Sequence, residues 1–183
     1  MKENGGQSSG RIGPKTDRDL TNAEKIIFTL RDLGKTVSTA ESVTAGGISY
    51  GLTRVPGSSK VFRGGVAAYT RDVKLGILGI QHQTLEMGLT TPIVTKALAE
   101  AALRIFKSDI ALGITGNAGP ATDEGPGHVG EIHVCVIDNK GNIVEKTANF
   151  AGNRDDVRDK SVTEGLRLLR NFVEDFYITG PDK

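Results

Sequence analysis

The sequence predicts an α/β protein of three layers, α/β/α, around a mixed, mainly parallel sheet of about five strands. Three observations carry this. Apolar runs of strand length alternate with stretches whose apolar residues recur at helical spacing, the order that builds parallel sheets covered by helices. One such run, Asp109–Thr115 (DIALGIT), is almost wholly apolar, as a strand buried on both faces must be. Late in the chain, two strand patterns are separated only by Asn139-Lys140-Gly141-Asn142, too short for a helical crossover, so a hairpin adds antiparallel pairing.

The elements follow in order. Residues 1–18 are polar and rich in Gly and Ser, which predicts a disordered tail and leaves 19–180 as a single domain. Thr21 and Glu24 have capping-box spacing, and Ile26, Ile27, Leu30 and Leu33 give a helical stripe that Gly34 ends. Thr36–Ala40 reads as a strand, Val43–Leu52 as a helix and Val61–Tyr69 as a second strand. A short helix is expected around Asp72–Leu78. Pro92 opens a longer one, with Ile93, Ala97, Ala101 and Ile105 among its apolar positions. After Asp109–Thr115 comes a long Gly- and Pro-rich loop over 116–130, of the kind that is usually functional. Glu131–Asp138 and Ile143–Phe150 form the hairpin, and a last helix carries Val162, Leu166, Leu169, Val173 and Phe176 on one stripe.

Composition excludes several classes. A formal net charge of +1 gives no field to steer nucleic acid or an acidic membrane. Six Phe, three Tyr and no Trp are a thin supply for stacking bases. No apolar run reaches the roughly 20 residues of a membrane span, and the N-terminus lacks the apolar core of a signal peptide. Cys135, the single cysteine, stands in a strand pattern and reads as a core residue. These absences point to a reducing cytoplasm.

Familiar motifs fail on context. Gly125–Gly130 spells G-x-G-x-x-G, but a strand follows it, and the dinucleotide fingerprint needs a helix whose free N–H groups meet the pyrophosphate. No phosphate-binding G-x-x-x-x-G-K-[ST] is present. His82, His128 and His133 lack metal-ligand spacing, so neither a metal nor a cofactor is expected. His133 reads as a residue packed along its strand, and His128 as a loop residue within reach of a ligand.

What remains is Ser42, directly after Glu41 in TAESVTAGGIS, where a strand gives way to a helix. From position alone it reads as an N-cap. The other reading is a nucleophile, which needs a base, and a lysine is the known alternative to histidine. The order of segments then becomes informative: AESVTAGG, RVPGSSKVFRGGVAAYTRDVK, GITGNAGP, HVG and FAGNRDDVR. This ordered set resembles the C-terminal domain of the CinA family over roughly Thr21 to Val173. The family's E-S-x-T-G-G falls on Glu41–Gly46 with Ala45 for the first glycine, and its Y-[ST]-N-x-x-K on Tyr69–Lys74 with Arg71 for Asn. The G-[IS]-[ST]-G-x-A-G-P loop falls on Gly113–Pro120 with Asn117 where an aliphatic residue is common. His128 replaces a usual proline, and G-[DN]-R-x-x-[IV]-R falls on Gly152–Arg158.

The family's enzymatic members are nicotinamide mononucleotide amidohydrolases. The resemblance implies a Ser/Lys hydrolase with Ser42 as nucleophile, Lys74 as base and Tyr69 assisting. Burial among Val73, Leu75, Ile77 and Leu78 would make Lys74 neutral enough for that task. The N–H groups of Val43 to Gly46, with Thr44 and Ala45 between them, are candidates for an oxyanion site. Thr115, Gly116, Asn117, Ala118, Gly119 and Arg154 are candidates for gripping phosphate or ribose. Against these stand plainer readings: a solvated Lys74, a strand-end Tyr69, and an Arg154 paired with Asp155 or Asp156. The alternatives at the level of function are a nucleotide-binding module without turnover, or an amidohydrolase for another pyridine or amide. The expected partner is a small pyridine nucleotide, not nucleic acid or membrane, and a homodimer is compatible with the resemblance. Many members carry an additional N-terminal domain, for which 183 residues leave no room.

Overall fold

The computed structural model describes residues 20–123 and 125–180; the tail expected over 1–18 lies outside them. The elements run α1 (Asn22–Asp32), β1 (Val37–Glu41), α2 (Gly47–Thr53), a 3₁₀ turn (Ser58–Lys60), β2 (Phe62–Ala67), α3 (Arg71–Gly76), α4 (His82–Glu86), α5 (Pro92–Phe106), β3 (Ile110–Gly116), β4 (Glu131–Asp138), β5 (Ile143–Asn149) and α6 (Arg154–Val173), closed by a π turn (Glu174–Ile178).

The five strands form one sheet in the order β2-β1-β3-β4-β5. β1 pairs in parallel with both β2 and β3. The antiparallel pairs are β3–β4 and β4–β5, so β4 alone runs against the other strands. Pleating divides the core into two layers. Ile110, Leu112 and Ile114 of β3 join Ile132, Val134 and Val136 of β4 beneath α1, α2 and α6. Ala111 and Cys135 face the other way, into the layer formed with Val94, Leu98 and Ala102 of α5 and with Leu78 and Leu85. Burial in that layer raises the Cys135 thiol to about 12, which keeps it an inert core residue.

α5 lies close to the sheet because β3 carries no side chain at Gly113. A Cβ there would fall 2.6 Å from the backbone nitrogen of Ala99 and strike the carbonyl oxygen of Thr95. The same device brings α6 onto α2: a Cβ at Gly47 would lie 2.6 Å from Val162 Cγ2, and one at Gly51 would lie 3.3 Å from Leu166 Cδ1. This changes the reading of α6. Val162 and Leu166 sit half-buried on its flank, while Val157, Ser161, Gly165, Leu168, Leu169, Phe172 and Val173 face the core. Phe176, on the π turn, is 36% exposed.

The cap of α1 forms as its sequence implies, with a Thr21–Glu24 capping box, and Pro92 opens α5 behind Thr91, which accepts from Val94 N–H. Leu33 becomes the C-cap of α1 and is exposed. The five-residue α4 is too short to show a period and is found only in three dimensions. α2 departs more sharply from expectation. Residues 43–46 form a turn, and the helix starts at Gly47. Ala45 takes φ 50° and Gly46 φ 96°, both left-handed.

Two substitutions test this packing. Gly113→Val overpacks the α5–sheet contact and lowers stability by about 1–3 kcal/mol or more, read as a lower urea midpoint at unchanged slope; a neutral result would mean that α5 does not lie where it is described. Ala45→Gly relieves a left-handed L-residue that costs roughly 1–2 kcal/mol, less the added chain entropy, so a net gain of up to about 1 kcal/mol is expected.

Candidate active site

The parallel strands β1, β2 and β3 all end at the same edge, the position where open α/β sheets bind ligands. Their registers place Glu41 beside Ala67 on one side and Ile114 on the other. The residues that follow are therefore neighbours: Ser42, then Ala68–Tyr69, then Thr115–Asn117. The backbone fixes this, since Ser42 N–H donates to the Ile114 carbonyl (3.0 Å) and Ala68 N–H to that of Glu41 (2.7 Å).

Glu41, the last residue of β1, settles the local role of Ser42. Its fully buried carboxylate accepts from the N–H groups of Gly46 (3.0 Å), Ile48 (3.0 Å) and Ser49 (2.8 Å) and from the hydroxyls of Thr44 (2.7 Å) and Ser49 (2.6 Å). The orphan donors at the start of α2 are thus met from the preceding strand. Ser42 makes no cap, and the N-cap position, Gly46, has no side-chain hydrogen bond. Ser42 Oγ is left for Lys74, whose Nζ stands 3.2 Å away.

Lys74 is fully buried, and α3 exists to deliver it. Thr70 caps α3 by accepting from Val73 N–H, so the chain turns inward one residue after Tyr69. Nζ donates to the carbonyls of Ala68 (2.7 Å) and Tyr69 (3.3 Å). These oxygens only accept. In the neutral amine both N–H bonds go to them, and the lone pair is left facing the Ser42 hydroxyl, which then becomes the donor. Burial lowers the amine from its ordinary 10.5 to about 8; the Asp123 carboxylate opposes this and the Arg71 guanidinium adds to it.

Ser42 opens into a polar cleft of about 270 Å³ lined by Val43, Tyr69, Gly116, Asn117, Ala118, Ala121, Thr122, Asp123 and Arg154. Arg154 donates to the Gly119 carbonyl (2.7 Å) and to the Tyr69 hydroxyl (2.6 Å), and so ties α6 to the loop after β3 and to the end of β2. The plainer reading, Arg154 paired with Asp155 or Asp156, has no ion pair behind it among the described residues; both acids donate their N–H groups to the Asn153 side chain, and Asp156 closes the capping box. Tyr69 is half exposed and its hydroxyl accepts from Arg154, with no hydrogen bond from that hydroxyl to Ser42 or Lys74 among the described residues; its carbonyl accepts from Lys74.

Of the other expected binding residues, Gly116, Asn117, Ala118 and Arg154 line the cleft. Thr115 does not, because it is fully buried and donates to the Leu89 carbonyl (3.2 Å). Thr44, Ala45 and Gly46 belong to the turn behind Ser42, and Gly119 contributes its carbonyl to Arg154. Asn117 is buried, with its amide donating to Thr90 Oγ1 (3.2 Å) and its carbonyl accepting from Asp123 N–H (2.8 Å); this folds the loop back over the cleft. Asp123 escapes sequence reasoning because a loop carboxylate carries no periodic signal. His128 is exposed beside Glu131, outside the cleft lining, and His133 bonds to Thr147 Oγ1 along the sheet. Among the described residues no trio of His, Cys, Asp or Glu is placed to hold a metal ion, and no helix is long and apolar enough to cross a membrane.

Comparison with known proteins follows the same outline. The family model for the CinA C-terminal domain matches residues 19–173. A CinA-like protein of Mycobacterium marinum is 39% identical over 142 residues, covering 76% of this chain and 33% of the relative. One from Mycobacterium tuberculosis is 40% identical over 140 residues, covering 75% and 32%. The chain thus spans about a third of the length of these curated relatives. Among solved structures, the competence/damage inducible protein CihA from Agrobacterium tumefaciens superposes with a TM-score of 0.76 at 34% identity, covering 81% of this chain and 91% of that one. A competence or damage-inducible protein from Enterobacter asburiae gives 0.79 at 27%, covering 83% and 96%. With the fold, the ordered motifs and the family model in agreement, the chain belongs to the CinA C-terminal domain family.

Proposed function

We propose that the protein is a serine amidohydrolase that converts nicotinamide mononucleotide to nicotinic acid mononucleotide and ammonia. The observation that carries this reading is the buried Lys74 amine, held by two carbonyls with Ser42 Oγ at 3.2 Å. A serine hydroxyl is a weak nucleophile until a base takes its proton. Lys74, lowered to about 8, is in part neutral near pH 7 and becomes mostly so just above 8.

The reaction balances as acyl transfer. Ser42 Oγ attacks the carboxamide carbon while its proton passes to Lys74. The tetrahedral intermediate collapses as the Lys74 ammonium returns that proton to the amide nitrogen, and ammonia leaves. Water then attacks the acyl ester with Lys74 again as base, and the free carboxylate departs as Ser42 regains its proton. The developing oxyanion needs donors. The turn after Ser42 has two whose hydrogen bonds are not spent internally among the described residues, Val43 N–H and Thr44 N–H; Ala45 N–H goes to the Ser42 carbonyl and Gly46 N–H to Glu41. Arg154 supplies a guanidinium for the phosphate, and Tyr69 acts by holding that guanidinium in place.

The test is ammonia release from the mononucleotide by the purified protein. Wild type should release it, and Ser42→Ala and Lys74→Met should each lose at least about 10³-fold in kcat/KM. Thermal stabilisation by the mononucleotide without ammonia would mark a binding module instead, and turnover of other amides alone would reassign the substrate.

The pH profile gives an independent check. The base must be neutral, so kcat/KM should rise with pH through a midpoint near 8 and then level off. The same shift works in one direction on stability. Between about 8 and 10.5 the unfolded chain keeps the lysine proton that the folded chain has lost, so this group adds stability as pH rises through that window. A profile flat from pH 6 to 9, roughly the range that brackets the lysine, would remove Lys74 as the base.

A further inference from the structure

Arg158 lies one helical turn beyond Arg154 on α6 and stands behind the cleft, not in it. It is half-buried. Its Nε donates to the Val43 carbonyl (3.2 Å) and its terminal Nη2 to the Thr44 carbonyl (3.4 Å). Among the described residues no carboxylate pairs with it. A guanidinium usually takes a carboxylate or phosphate with its planar fork; this one spends its charge on the turn that follows Ser42.

Peptide geometry gives that contact a consequence. The Val43 carbonyl and the Thr44 N–H belong to one planar trans peptide and point in opposite directions. With its carbonyl drawn toward Arg158, the peptide turns its N–H away from α6. The turn's other unspent donor, Val43 N–H, belongs to the residue of the turn that lines the cleft, and its place is fixed when the carbonyls on either side of Thr44 are held. From the other side, the Glu41 carboxylate holds the Thr44 hydroxyl and the N–H groups of Gly46 and Ile48. The turn is clamped by an anion on its N–H side and a cation on its carbonyl side.

We propose that Arg158 is a positioning residue for acyl transfer at Ser42: by holding the Val43 and Thr44 carbonyls it fixes the turn so that Val43 N–H, on the residue of that turn that lines the cleft, receives the oxyanion. The proposal rests on Ser42 being a nucleophile and does not depend on which amide is cleaved. It predicts an effect on the transition state and not on ground-state binding, since Arg158 does not line the cleft.

The experiment measures two rates on wild type, Arg158→Lys, Arg158→Gln and Arg158→Ala. One is ammonia release from nicotinamide mononucleotide. The other is labelling by a fluorophosphonate, in which Ser42 Oγ displaces fluoride and the phosphoryl oxygen occupies the oxyanion position. Arg158→Gln should lower kcat by about 10–100-fold with KM changed less than about twofold, as expected for a weakened oxyanion donor. Labelling should fall in parallel, Arg158→Lys should lie between, and methylguanidinium should restore part of the Arg158→Ala rate. The pH midpoint near 8 should stay, because Lys74 is not touched. Full rates in Arg158→Gln, a loss confined to KM, or a moved midpoint would each overturn the proposal. Wild type that labels at Ser42 but releases no ammonia would reject the mononucleotide and leave Arg158 to be judged on labelling. Wild type that does not label would overturn both readings.

Discussion

Burying one lysine amine is the constraint on which the rest of the site depends. An ammonium taken out of water costs several kcal/mol unless its donors are met or its proton is lost. Lys74 does some of each. Its nitrogen finds two backbone carbonyls and one hydroxyl, and burial lowers its affinity for the third proton. Those carbonyls come from Ala68 and Tyr69, where β2 has ended and no sheet partner claims them. α3 must then begin at once for Lys74 to turn back onto them, which is what the Thr70 cap achieves. The short helix, abrupt strand end and buried amine are one arrangement. Its product is an amine 3.2 Å from Ser42 Oγ.

A second buried charge, Glu41, organises the opposite side of the serine. A seven-residue helix has little stability of its own. Its first N–H groups are satisfied by a carboxylate that belongs to the preceding strand, where parallel pairing with β2 and β3 holds it rigidly. Ser42 is thereby relieved of capping. The turn between strand and helix needs two left-handed residues in succession, Ala45 and Gly46, and this sharp reversal is what leaves Val43 and Thr44 N–H groups uncommitted. Strain at Ala45 is the local cost of leaving those donors uncommitted beside Ser42.

Much of this is legible in the sequence, and the limits have physical causes. β3 and the β4–β5 hairpin can be read because burial on both faces and a tight turn each leave a local signature. α4 leaves none at five residues. The apolar stripe misplaces the core face of α6 because that face includes Ser161 and Gly165, small residues that point inward to admit neighbours, while the larger Val162 and Leu166 meet glycines on α2. Ser42, Lys74 and Arg154 follow from motif order, but their geometry depends on strand register, which no short window records. Thr115 and Tyr69 show the same limit. A strand-end threonine and a tyrosine just before a short helix look alike in sequence whether the hydroxyl faces the cleft, a neighbouring carbonyl or an arginine.

The parts of the site are mechanically linked. Arg154 joins the Gly119 carbonyl to the Tyr69 hydroxyl, and Asn117 binds Asp123 N–H and Thr90 into the same wall. Arg154, which lines the cleft, therefore also sets where the loop after β3 sits relative to the end of β2. A ligand that engages Arg154 would compete with, or add to, contacts that shape the cleft around Ser42, so the two ends of the cleft are coupled through one guanidinium. Asn117 then acquires a structural meaning. Its side chain fixes the loop by two hydrogen bonds that an aliphatic residue could not make, which narrows the range of positions Asp123 and Ala118 can take in the cleft wall. The loop after β3 is thus pinned through Asn117 and Arg154, while Ser42 stands between the separately anchored β1 turn and Lys74.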